Sequence, residues 1–79
     1  DNLNEEITLY PNPAKNILYI KRNQPIEGLK ILNTLGYSVL EVENPDKEVY
    51  INHLPSGVYY VKITTIDKKQ RIVKFVKQL

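Results

Sequence analysis

Few residues in this chain could do chemistry. His53 is the only histidine among 79 residues, and no acid or thiol stands near it in sequence. Metal ligation or general-base work would need partners that are not there, so His53 reads as a loop residue. Glu41 and Glu43 are spaced to share one face of a strand. Paired catalytic carboxylates need a cleft, and so short a chain has little room for one. These two are expected on a wet face. There is no cysteine, so neither a disulfide framework nor a thiolate metal site can form. Phosphate-binding glycine loops, Walker motifs and Asn-x-Ser/Thr sequons are also missing from the sequence. The chain is expected to be no enzyme and to use no cofactor or metal.

Charge is more informative. The net charge is +2, but residues 62–79 hold six basic side chains against Asp67 alone, a net +5. Residues 1–61 are net −3. A basic end suits an acidic partner surface or anionic lipid headgroups. Lysines also protect a solvated edge strand from unwanted pairing. Six tyrosines beside a basic end could stack single-stranded nucleic acid. They are scattered over strands and turns, so no nucleic acid is expected. No apolar run approaches the ~20 residues that span a bilayer as a helix.

These residues are positioned by an all-β pattern. Period-2 alternation recurs in short blocks bounded by Pro, Gly, Asn and Asp. The spacing predicts strands over 7–10, 16–22, 29–33, 37–43, 48–52, 57–66 and 70–77. Pro25 interrupts after the second, and a helical turn is allowed only around Pro25–Gly28. Turns fall at Thr34-Leu35-Gly36, Asn44-Pro45-Asp46 and Asp67-Lys68-Lys69. Seven short strands argue an Ig-like sandwich of two antiparallel sheets. Same-face alternation nominates Leu18, Ile20, Ile31, Val49, Ile51, Tyr59, Val61 and Ile63 as core. A chain this size buries only about 60–65% of its unfolded surface, so that core is thin. Asp1–Glu6 is polar and acidic and reads as the end of a linker, with residues 7–79 as one domain. The chain starts without Met or a signal peptide and reads as a piece of a longer precursor.

Three motifs stand out on this frame. Tyr10-Pro11-Asn12-Pro13 is stiff, because each proline fixes φ and biases its predecessor toward extended geometry. Asn12 is expected to bond its own backbone as an Asx-turn. Leu54-Pro55-Ser56-Gly57-Val58-Tyr59 is a turn feeding a buried strand, with Tyr59 burying its ring and offering its hydroxyl to a polar partner. Lys74-Phe75-Val76-Lys77-Gln78-Leu79 closes the chain with mixed basic and apolar residues. Together they resemble the type A C-terminal sorting domain of the type IX secretion system, found in Bacteroidota. Gly36, within Asn33–Val39, matches that family's middle motif, although Tyr37 stands where many members carry Gln or Lys. The resemblance covers about residues 7–79.

The resemblance implies an address label and not a catalyst. A precursor would cross the inner membrane, fold in the periplasm and dock this domain on the outer-membrane type IX translocon. A sortase-like cell-surface peptidase would then remove it, cutting within or upstream of Asp1–Glu6. The recognition residues implied are Tyr10, Pro11, Asn12, Pro13, Gly36, Leu54, Gly57, Tyr59, Lys74, Phe75, Val76 and Lys77. The closing segment is expected to offer Lys74 and Lys77 as surface charge, and Phe75 and Val76 at a free strand edge. Such an edge also allows weak dimerisation. The rival expectation is an Ig-like or fibronectin-like module that binds carbohydrate or protein through Tyr19, Tyr37, Tyr50 and Tyr60 on one sheet face.

Overall fold

A computed structural model describes residues 7–79, and the linker expected at Asp1–Glu6 lies outside them. The seven strands are β1 (Ile7–Tyr10), β2 (Ile17–Arg22), β3 (Ile26–Leu32), β4 (Ser38–Glu43), β5 (Glu48–Tyr50), β6 (Gly57–Thr65) and β7 (Gln70–Lys77). They form two antiparallel sheets ordered β1-β2-β5 and β4-β3-β6-β7. The all-β sandwich expected from the alternation is what forms.

The core lies between the sheets. All eight side chains nominated by alternation are buried, and Leu9, Ala14, Ile26, Leu29, Leu54 and Phe75 join them. Alternation succeeds because each strand has one wet face, so a period of two separates core from solvent.

The main departure is β3. It begins at Ile26, directly after Pro25, and not at Leu29, so no helical turn forms around Pro25–Gly28. Proline is tolerated just before the first ladder position, where no N–H is needed. Against β6 the register shifts between Ile26 and Gly28. This bulge inserts one residue, so Ile26 and Leu29 both face the core although they are three apart. A strict period of two cannot see that strand start. Elsewhere the strand ends move by one or two residues. Ile51 leaves β5 yet stays fully buried, and Ile66 leaves β6 for solvent.

The antiparallel registers also sort the loops into two ends. Tyr60 opposes Leu32 on one side and Lys74 on the other, and Gly57 opposes Lys77. The β3–β4 turn, the start of β6 and the end of β7 therefore share one pole. Ala14, in the β1–β2 connection, bridges to Lys77 at the same pole. Ile7 opposes Arg22 at the other pole, beside the turns at Asn44–Lys47 and Asp67–Lys69.

Candidate functional site

The motifs, far apart in sequence, converge on the first of these poles. Tyr10-Pro11-Asn12-Pro13 leaves β1 through two cis X–Pro bonds. Asn12 does not cap its own turn. Its side-chain Nδ2 donates to the Lys74 carbonyl at 3.3 Å, and its Oδ1 accepts from the Val76 N–H at 2.9 Å. The amide thus stands in for a peptide group along the outer edge of β7. Ala14 completes the seal: its N–H donates to Val76 O and its carbonyl accepts from Gln78 N–H, both at 2.8 Å. An amide carries one donor and one acceptor side by side, as an edge strand presents them. That chemistry explains an asparagine between the prolines.

The second motif builds the support beneath. Gly57 sits at φ +150°, a conformation open to glycine. Tyr59 opposes Phe75 across β6 and β7, and the rings stack with centroids 5.5 Å apart. The Tyr59 hydroxyl donates to the Pro55 carbonyl at 2.6 Å, tying the turn to the strand that it feeds. Leu54 is buried beside them, and Pro55 is exposed.

The closing segment differs from expectation. Phe75 is fully buried, so it is not available to a partner at a free edge. Lys77 is only 4% exposed and is not surface charge. The cause is strand alternation: Phe75 faces the core, so Lys77 does too. Its stem packs in while Nζ reaches the Gln78 carbonyl at 3.0 Å. Lys74 is exposed and Val76 half-buried. Main-chain pairing at Lys74–Gln78 is already taken by Asn12 and Ala14.

The middle motif is a rigid turn whose builder is Asn33. Its Oδ1 accepts from the N–H groups of Leu35 and Tyr37, both at 3.0 Å. Its carbonyl accepts from Gly36, which adopts φ +90°. Asn33 carries the strongest turn chemistry of the segment. The turn holds Leu35 79% and Tyr37 67% exposed. Among the described residues, six of eight large exposed apolar side chains lie at this pole: Tyr10, Leu35, Tyr37, Val39, Tyr50 and Leu79.

The other candidates are dispersed. His53 is exposed in the turn after β5, and Glu41 and Glu43 are exposed on β4. No group of three His, Cys, Asp or Glu that could hold a metal occurs among the described residues. The four tyrosines nominated for a binding face are divided. Tyr19 and Tyr50 lie on the outer face of the small sheet, with Tyr10 stacked on Tyr19 at 5.4 Å. Tyr60 is on the large sheet, and Tyr37 is in the β3–β4 turn. Tyr50 donates to Glu48 at 3.0 Å, and that bond with the carboxylate charge holds its pKa above the ordinary tyrosine value.

The sequence matches the family described as the secretion system C-terminal sorting domain over residues 8–78, and the chain belongs to that family. It is a type IX secretion C-terminal domain with a β-sandwich fold. No curated protein shows a significant match. Among solved structures it is similar to a chain of PorZ, an essential bacterial surface component of the type-IX secretion system of Porphyromonas gingivalis. The TM-score is 0.70 at 24% identity, over 92% of this chain and 11% of that one. The chain thus spans about a tenth of PorZ. The fold is common to both. Among the described residues no helix is long and apolar enough to cross a membrane.

Proposed function

We propose that residues 7–79 act as a non-catalytic sorting tail that directs an N-terminal cargo through the type IX outer-membrane translocon. The observation that carries this reading is the convergence of four family motifs on one pole, together with most of the exposed apolar side chains. Exposed apolar clusters rimmed by polar groups mark protein interaction sites. Ile7, the first described residue, lies at the pole opposite the motifs, which leaves the motif pole free to dock. The precursor passes through the periplasm to the cell surface. A sortase-like peptidase then cuts in or before residues 1–6 and removes the domain.

The test fuses residues 1–79 to the C-terminus of a fluorescent periplasmic reporter in a type IX-competent cell. The expected outcome is reporter at the cell surface, with a new C-terminus upstream of Ile7 by mass spectrometry. Folded fusion retained in the periplasm would overturn the proposal.

A further inference from the structure

The large sheet has two outer strands, and they are not equivalent. The edge of β7 is closed over Lys74–Gln78 by Asn12 and Ala14. Among the described residues the edge of β4 has no such cover. Asn44 N–H bonds the Glu27 carbonyl, which fixes the phase of the β3–β4 ladder. In that phase Leu40 and Val42 turn their main-chain groups toward β3, and Glu41 and Glu43 turn theirs outward. Among the described residues nothing pairs with those outward groups. An open edge of this kind is a template for another strand.

A second observation says what strand it fits. Glu43 lies opposite Gly28, which has no side chain to meet it. Glycine is not demanded there. Its φ is not positive, and a Cβ would find only the Val42 carbonyl, at an ordinary 3.7 Å. A glycine within a strand weakens it relative to alanine, and marks either a bulge, such as the one between Ile26 and Gly28, or a place where another chain comes close. Here it opens a hollow beside the edge, lined by Glu27, Gly28, Glu43, Asn44 and Thr64. The side chains of Glu27, Glu43, Asn44 and Thr64 each carry an acceptor, and two are carboxylates. Glu27 is already paired with Lys68 at 2.7 Å, whereas Glu43 has no ion pair among the described residues.

We infer that β4 is a strand-addition site for an extended, basic segment of a partner protein, with an Arg or Lys side chain seated in the hollow above Gly28. Main-chain pairing with Glu41 and Glu43 supplies affinity, and the hollow supplies choice. The charge is complementary: a long basic side chain on the added strand reaches past Glu43 into the space that Gly28 leaves on β3. Leu35 and Tyr37, beside the other end of β4, extend the surface with apolar contact. Over Lys74–Gln78 the β7 edge is excluded by its own seal, and an acidic strand is disfavoured by Glu41 and Glu43.

The test follows backbone amide NMR shifts of the 79-residue chain during titration with synthetic peptides. One peptide alternates Arg and Thr, and the other alternates Glu and Thr. The Arg peptide is expected to move the Glu41 and Glu43 amides, and the Glu peptide is not. Gly28→Val fills the hollow on a backbone that accepts a side chain. It is expected to keep or raise the melting temperature while weakening the Arg peptide at least tenfold, with Gly28→Ala intermediate. Glu43→Lys should abolish binding. The proposal is overturned if the Arg peptide leaves β4 unmoved up to about 1 mM, if it moves β7 instead, or if Gly28→Val binds as well as the parent. A concentration-dependent shift of the same amides without peptide would assign the edge to a second copy and overturn it equally.

Discussion

The two poles of this sandwich are tied by different kinds of bond. At the motif pole, Asn12 reaches across 62 and 64 residues to main-chain groups of β7, and Tyr59 and Phe75 stack in the core directly beneath. At the opposite pole no aromatic stack lies beneath the ties among the described residues. Arg22 donates to the carbonyls of Pro45 and Asp46, and Lys68 pairs with Glu27 where both side chains stand in water. The first kind joins segments far apart in sequence, so the motifs meet only when the domain is folded. The Lys68–Glu27 pair trims turns whose charges solvent could satisfy almost as well. Substitutions should therefore be far more damaging at the motif pole, and that asymmetry can be attacked directly.

The largest expected effect is Phe75→Ala. Phe75 is fully buried and stacked on Tyr59. Truncating it should cost about 3–5 kcal/mol, which is most of the stability of so small a domain. Urea unfolding of parent and variant measures this. A loss below about 1 kcal/mol would mean that this pole is no better packed than the other. Tyr59→Phe is the milder companion. It keeps the stack and removes the hydroxyl bonded to Pro55, and should cost about 1 kcal/mol.

Asn12→Ala comes next. Both of its bonds are lost, but water can reach them, so the expected cost is about 1 kcal/mol. Hydrogen exchange at the Val76 amide is the sharper readout, because its acceptor is the Asn12 side chain. Exchange there should quicken while the Tyr59–Phe75 core stays protected. Unchanged exchange would show that Ala14 alone closes the edge.

Much of the fold was legible in the sequence because it rests on alternation. Leu18, Ile20, Val61 and Ile63 declare their face by spacing alone. What was hidden depends on pairing between distant segments. Ile26 was missed because a bulge breaks the period of two before Leu29. Lys77 looked like surface charge by residue type, yet its place two beyond Phe75 turns it inward. Asn12 invited a local turn, and its real partners lie on the last strand. The motifs themselves could be read, but their meeting at one pole could not, since it follows from β-sheet order.

At the opposite pole, the Lys68–Glu27 pair should couple weakly. Their side chains are 72% and 42% exposed, so a double-mutant cycle to alanine should return about 0.2–1 kcal/mol, shrinking in salt. Coupling well above that range would contradict the contrast between the poles.

The smallest effect concerns Asp67 in the same turn. The Thr65 hydroxyl donates to its carboxylate, and that bond holds the Asp67 pKa below the ordinary aspartate value. A depressed folded pKa means that the native state binds this proton less readily than the unfolded chain. The contribution is therefore complete above about pH 3.9, the unfolded value, and fades as pH falls through the lower folded value. Thr65→Val removes the donor and should move the Asp67 titration up toward its ordinary position, as followed by the side-chain carboxyl carbon in NMR. The same hydroxyl oxygen also accepts from the Lys69 N–H, so the β6–β7 turn should loosen in the variant. Because Asp67 is exposed at the far end of β7, the motif pole should not sense the change, and the Val76 amide should exchange as in the parent. A Val76 amide that quickens with Thr65→Val would show that the two ends are coupled through β7, and the contrast between them would have to be abandoned.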